Sequence, residues 1–445
     1  MLKSGINKPL RRSFIFGSCI LQDKTVGETM RKAVFVLALF VVLFALVSCC
    51  GDSDPEFNLI LDANDGSGTS STIRISASDR KVPACPFTRD GYGLAVWNTK
   101  QDGSGTVYRK GDVIPSVDNY TLYAQWGIAL KESTTEWTTA TYALDRDVTI
   151  SERVVISGDA TLYLSEEYTL IASEGINVPG ESSITIDGSG VLKAIGQNDA
   201  AIGGNENERT GTIVINGGTI NATTKNSYYG SYGAAIGSGR SSDSSGTILI
   251  HGGTVTAVIP EGSSGAGIGA GHLGFFENIS ISGGKVTARG GNSGTGIGGC
   301  ESSGGNITIS GGVVDAIGGG AASGIGGGAG SGGNINISGG IVSAIGGYSS
   351  AGIGGGHQGD GGTITISGGT VVAIGGDCET VGIGGGYKGS DGTLNLDGVS
   401  LKVSSDNLNW TDYDGSNRMV YMKTVDSIPI IPYQGSYLLL RRKYR

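Results

Sequence analysis

Residues 306–328 read NITISGGVVDAIGGGAASGIGGG, and residues 334–356 read NINISGGIVSAIGGYSSAGIGGG. The same phrase runs from Gly211 to Ser400. Its Gly-Gly pairs begin at Gly217, Gly252, Gly283, Gly311, Gly339 and Gly368, and Asp397-Gly398 closes the series. The steps are 35, 31, 28, 28, 29 and 29 residues. A period near 29 with strand-like patterning inside each unit is the mark of a solenoid.

Within a unit the first run alternates. Ile279/Ile281, Ile307/Ile309, Ile335/Ile337 and Ile364/Ile366 occupy equivalent pairs, separated by Ser280, Thr308, Asn336 and Thr365. Period 2 places the isoleucines on one face and the polar residues on the other. The second run repeats the pattern with Val286/Ala288, Val314/Ala316, Val342/Ala344 and Val371/Ala373. The third is a Gly-Ile-Gly stub holding Ile297, Ile325, Ile353 or Ile383. Three short strands with one apolar face each cannot bury those faces alone. Stacked as coils about 4.8 Å apart, they form ladders of like on like. The expected fold is therefore all-β, a right-handed parallel β-helix, the hand following the rule for parallel crossovers. The abundant glycines are expected at corners that need positive φ.

Net charge is −9 with a pI near 5.0, so there is no basic footprint for nucleic acid. Only 16% of residues are charged and 82 are glycine, so the core is built by repetition rather than bulk. The cysteine spacing suggests neither a metal site nor a disulfide framework, and Cys300 and Cys378 are expected to be free structural thiols. No cofactor is expected.

Arg31-Lys32 precedes an apolar run from Ala33 to Val47, followed by Ser48-Cys49. That is the order of a secretory signal peptide, and the run is short for a membrane span. Leu46-Val47-Ser48-Cys49 resembles the lipobox of bacterial lipoproteins, which implies Cys49 as the lipidated first residue. The 29 residues before Met30 are too many for an ordinary n-region, so translation is expected to start at Met30. An uncleaved signal anchor is the alternative.

From Phe57 to Trp126 the composition changes. This stretch carries Leu61-Asp62-Ala63-Asn64, Phe87-Thr88-Arg89-Asp90-Gly91-Tyr92, Trp97-Asn98-Thr99, Asp102-Gly103-Ser104-Gly105-Thr106-Val107-Tyr108 and Thr121-Leu122-Tyr123-Ala124-Gln125-Trp126. The run resembles the Listeria–Bacteroides repeat, the internalin B-type repeat of bacterial surface proteins. The resemblance implies a small β-grasp-like domain acting as a spacer. Asp65 and Val96 stand where that family usually has glycine, which is expected to alter two turns. Trp97, Tyr108, Tyr123 and Trp126 are read as core.

The resulting organisation is a mis-assigned extension at 1–29, a lipoprotein signal peptide at 30–48, a lipidated tether at 49–56 and the small domain at 57–127. An N-terminal cap with irregular first coils follows at 128–187, then Gly-rich repeats at 188–401 and a C-terminal cap at 402–445. Terminal coils must differ because their outer faces meet water. The solenoid also resembles Gly-rich β-helical surface proteins of bacteria of the carbohydrate-binding-domain or adhesin type, on Ala201-Ile202-Gly203-Gly204 and the repeated I-x-G-G-x-V and G-I-G-G-G strings. Repetition speaks to architecture rather than ligand.

The outward strand positions hold Thr254, Lys285, Val313, Ile341 and Thr370 in one column and Thr287, Asp315, Ser343 and Val372 in the next. One Asp and one Lys in different columns make no catalytic cluster, so no catalytic residue and no metal ligand is assigned. The loops differ, and loops on rigid scaffolds are where function concentrates. Just after the G-I-G-G-G corner the sequence varies through Arg240, His272, Glu301, Ala329, His357 and Tyr387, with Phe275 nearby. The loop before the stub, expected on the opposite edge, carries Tyr228, Tyr229, Tyr232 and Tyr348. Aromatic rings can lie on a sugar face while carboxylates and amides take its hydroxyls. The candidate ligand-binding residues are therefore Tyr228, Tyr229, Tyr232, His272, Phe275, Glu301, Tyr348, His357 and Tyr387. The expected function is a non-enzymatic adhesion or carbohydrate-binding rod, lipid-anchored and exposed on a bacterial cell envelope. Its partners would be a glycan or polysaccharide, or a host or biofilm surface protein. A β-helical polysaccharide lyase or hydrolase using Asp360, Asp377, Glu379 or Asp391, and a passive stalk, are the alternatives.

Overall fold

The computed structural model describes residues 54–165, 167–196, 198–225, 231–242, 246–378, 380–404, 411–412 and 421–425. Cys49, Tyr228, Tyr229, Glu379 and most of the expected C-terminal cap lie outside the described residues. The chain divides into two compact units. One is 1–56 with 76–78; the other is 57–75 with 79–445. In the first, Ala77 N–H donates to Pro55 C=O and Ser78 N–H to the Asp54 carboxylate, each at 2.8 Å. The second holds the fold described below.

The solenoid is the right-handed parallel β-helix anticipated from the repeat. Among the described residues it has three sheets, of 15, 12 and 10 strands, the first shared with the five strands of the N-terminal module. Like residues stand on like: Ile307 and Ile309 pair with Ile335 and Ile337, and Val314 and Ala316 with Val342 and Ala344. The inward columns form one continuous buried core from Leu130 to Leu401, with Leu394 and Leu396 of the last first-sheet strand half-buried against it. The outward columns fall in the register read from the sequence, Lys285 beside Val313 and Val313 beside Ile341. Free Cys300 is buried within this core.

The glycines have a second reason to be there. Gly326 does sit at φ +129°, yet a Cβ on it would overlap the carbonyl oxygen of Gly354 in the next coil. Gly356 has no positive φ, and a Cβ there would overlap the Gly328 carbonyl. Close approach of one coil's backbone to the next, as much as corner geometry, excludes a side chain.

The N-terminal module is a mixed sheet of β1 (Glu56–Asp62), β2 (Ser70–Ser76), β3 (Tyr92–Asn98), β4 (Val107–Tyr108) and β5 (Tyr120–Ala129), in the order β2-β1-β5-β3-β4. β1 runs parallel to β5 and β3 antiparallel to it. Among the described residues the crossing from β2 to β3 has no helix. Pro83 and Pro86 interrupt it, and proline removes the donors a helix needs. Trp97 is buried with Leu59, Leu61 and Leu122, and Tyr108 and Trp126 pack at the margin of that cluster. Tyr123 lies outside the cluster, on the alternate face of β5. Asp65 caps its turn, accepting from Ser67 N–H at 2.9 Å. Val96 lies in a strand rather than a turn, beside a register shift between Leu94 and Val96.

This module is more than a spacer. β5 continues into the solenoid, with Ile128 beside Tyr142 and Ala129 beside Ala143 in parallel register. The module's sheet and the first solenoid sheet are one. A Cβ on Gly93 would stand 2.9 Å from the Leu144 carbonyl oxygen, and one on Gly127 2.9 Å from the Tyr142 carbonyl carbon. Arg109 Nη2 grips both carboxylate oxygens of Asp187, at 2.7 and 2.6 Å. The exposed edge that a first coil would leave is covered by this domain. The stacked coils begin early, with Thr141 beside Thr161 and Asp159 beside Ser183.

At the other end Tyr421–Val425 pairs antiparallel with Thr370–Ile374 and Ser400–Ser404 pairs antiparallel with it in turn. An antiparallel strand thus takes the place of a further parallel rung and closes the second sheet.

Two measurements check this packing. Ile309→Ala in mid-rod is expected to cost about 2–5 kcal/mol and Ile309→Val about 0.5–1.5 kcal/mol in denaturant unfolding, since Ile309 is fully buried. Burial pushes the Cys300 thiol up to about 12 and also raises that of Cys85. With the thiolate as the reactive form, native protein at pH 8 should leave Cys300 unlabelled by a maleimide until denaturant is added.

Candidate ligand-binding edge

The stub is a pinch in the chain. Ala234 N–H donates to Ser238 C=O at 3.0 Å, and the same bond links Ala266 to Ala270, Ser323 to Gly327 and Ala351 to Gly355. Between these anchors the isoleucine dips into the core, while the segments on either side are drawn together. The loops before and after the stub were expected on opposite edges. They lie side by side, and they are joined across coils. His272 N–H donates to Tyr232 C=O at 2.7 Å, His357 to Ala321 at 2.9 Å and Tyr387 to Ser349 at 3.0 Å. The variable residues of both loops therefore share one edge.

On that edge Tyr232, His272 and Glu301 are brought together. The guanidinium of Arg240 stands 4.8 Å from the Tyr232 ring centroid, on a ring 5.1 Å from that of His272. His272 Nε2 is 3.3 Å from Glu301, and Arg240 Nη1 is 3.3 Å from Glu206. The result is a row that alternates acid, base, aromatic, imidazole and acid over four coils. His272 Nδ1 and Arg240 Nε are buried without a hydrogen-bond partner among the described residues. Glu206 extends the variable column by one coil; it was legible four residues after Ile202, the position Arg240 holds relative to Ile236.

Farther along, Tyr387 stacks on His357 with centroids 5.9 Å apart and planes at 15°. Lys388 Nζ lies 5.0 Å from the Tyr387 ring, and His357 Nδ1 is 3.1 Å from Ser349 Oγ. Tyr348 is 64% exposed. The Cys378 side chain hydrogen-bonded to it, and then the Cys378 and Asp377 charges, hold its phenol above the usual value. Phe275 is 54% exposed beside exposed Leu273, whereas neighbouring Phe276 turns into the core. The Tyr232, Tyr348 and Tyr387 groups belong to different coils and do not converge on one pocket. They form a series along the rod.

The carboxylates are partly committed. Asp360 accepts from both the backbone N–H and the hydroxyl of Ser390, each at 2.7 Å, and these bonds hold its carboxyl below the usual carboxylate range. Arg153 reaches Asn205 Oδ1 and the Glu174 carbonyl at 2.6 Å each, and burial draws its pKa down. Among the described residues no three His, Cys, Asp or Glu side chains are grouped to hold a metal ion.

A feature not anticipated lies where the module meets the coils. An open groove of about 370 Å³ is lined by Arg109, Asp187, Ser189, Asn216, Thr219 and Thr254 among others. It depends on the docking of the module, which the linear sequence does not display.

Neither the curated proteins nor the solved structures include a match to this chain. The Beta helix repeat profile does match, at residues 184–206, 213–240, 248–272, 279–305, 335–357 and 364–387. Each matched segment runs from the isoleucines of a first strand to the variable corner after the stub, so it is the coil itself that is similar to a known repeat.

Proposed function

We propose that this chain is a non-enzymatic, lipid-anchored rod of the bacterial cell surface that binds glycans along its aromatic edge. The single supporting observation is that the pinch gathers the variable loops onto one side, where Tyr232, Phe275, Tyr348 and Tyr387 stand on backbone fixed by bonds between coils. Rigid aromatic side chains supply contact area at low entropic cost. Repetition of modest contacts along a rod, and of rods on a membrane, provides avidity. Anchoring rests on Leu46-Val47-Ser48-Cys49 and the apolar run before it. The likeness of residues 57–126 to the internalin B-type repeat, a surface-protein module, supports the same placement. Against the enzymatic alternative stands the use of Asp360 in holding Ser390 of the next coil.

Purified chain applied to an array of glycans, with product release assayed on every hit, tests binding and turnover together. Saturable binding without turnover is expected. Changing Tyr232, Tyr348 or Tyr387 to Ala should each weaken it by about three- to tenfold. Turnover would replace this reading with a polysaccharide-active enzyme, and a blank array with a passive stalk. In growing cells fed a labelled fatty acid, Cys49→Ser should abolish incorporation into the chain; label that persists would exclude Cys49 as the anchor.

A further inference from the structure

The outward face of the first sheet changes character at Asn278. From there its strands read NISI, NITI, NINI, TITI and TLNL, at Asn278–Ile281, Asn306–Ile309, Asn334–Ile337, Thr363–Ile366 and Thr393–Leu396. The alternate residues that face outward are all Asn, Ser or Thr. They stand in strict register, Ser280 beside Thr308, Thr308 beside Asn336, Asn336 beside Thr365. A serine after each of the first four strands extends the array by a third column, with Glu277 and Asp397 at its margins. Amides are ordered along it: Asn306 Nδ2 donates to Asn278 Oδ1 at 3.2 Å and Asn334 Nδ2 to Asn306 Oδ1 at 3.0 Å.

Five consecutive coils thus present a flat grid, about 4.8 Å by about 6.6 Å, of groups that both donate and accept. Apart from Glu277 and Asp397 at its margins, it carries no side-chain charge and no large apolar group. The second sheet of the same coils differs, exposing Lys285, Arg289, Asp315, Val313 and Ile341 outward. A polyanion or polycation would find no countercharge on the grid, and an apolar partner nothing to desolvate. What complements it is an uncharged polymer whose own hydroxyls donate and accept at regular intervals. The rise of one coil is close to the length of one sugar unit in an extended chain. The face also borders the aromatic edge, since the loops of His357 and Tyr387 lead directly into Thr363 and Thr393.

We propose that this grid is a second binding surface, for an extended neutral polysaccharide lying along the rod. The assignment rests on the glycan-binding reading above but places the neutral ligand on the sheet rather than on the loops. Fixed amide ladders lower the ordering cost of each weak hydrogen bond, and many such bonds act together.

The test is a depletion isotherm of the full-length chain on an insoluble neutral β-glucan, with polygalacturonate beads as the charged comparison. The triple variant Thr308→Lys, Asn336→Lys, Thr365→Lys places charge at exposed or half-exposed positions, and its thermal unfolding shows that the coils persist. It should bind the neutral glucan at least about tenfold more weakly. The matching triple change to Ser, and Val313→Thr with Ile341→Thr at exposed positions of the second sheet, should leave that binding unchanged. Full binding by the lysine variant, with loss in Tyr232→Ala with Tyr387→Ala, would overturn the grid while leaving the edge as the glycan site. Retention of polygalacturonate alone would do the same. A parent chain retained by no polysaccharide, there or on the glycan array, would overturn both readings.

Discussion

Every coil must retrace the path of the one below it, because the strand ladders join equivalent positions one turn apart. That requirement is strictest at the stub. There Ile353 N–H reaches Gly382 C=O and Gly355 N–H reaches Gly384 C=O while the chain enters and leaves the core within four residues. Backbone then lies directly on backbone, and a Cβ has nowhere to go. The glycine content follows from this contact, and so does the tolerance of variation just outside it. Once past the pinch, the chain is free to carry Arg240, His272, Ala329 or Tyr387 at the same place.

The ladders were legible in the sequence because isoleucine and valine recur with period 2 inside a period near 29, and both periods survive in linear order. The outward columns were legible for the same reason. The pinch was not. Nothing in Gly-Ile-Gly announces that Ala266 N–H will find Ala270 C=O, so the two flanking loops read as opposite edges when they are neighbours. The grouping of Tyr232 with His272 and Glu301 depends on that fold-back, and only its members were visible beforehand. Phe275 and Phe276 make the limit plain. Two identical adjacent residues take opposite directions, and the difference lies in the space beside Gly246, where a Cβ would come within 2.8 Å of the Phe276 ring.

The junction of module and solenoid was likewise hidden. The aromatic composition of residues 57–126 marks a separate module, yet β5 becomes a rung of the first sheet, and Gly93 and Gly127 provide its flat contact with residues 142–144. Arg109 with Asp187 adds a charge-assisted bond across the same junction. A module that covers the first coil solves the exposed-edge problem with a folded domain, and a reversed strand solves it at the far end of the second sheet. The polar grid starts well beyond the module, at Asn278, and runs to Thr393–Leu396, the last described strand of the first sheet.

The direction of the hydrogen bonds has a mechanical consequence. In a parallel β-helix they lie along the rod, from coil to coil, rather than across it. Tension applied between the two ends of the stack therefore loads every rung in series, and the weakest one yields first. A load applied sideways to one coil is shared by the bonds above and below it. For such a molecule the place of attachment decides its strength, and a partner gripped along the flank is held by a stiffer spring than one gripped at the tip.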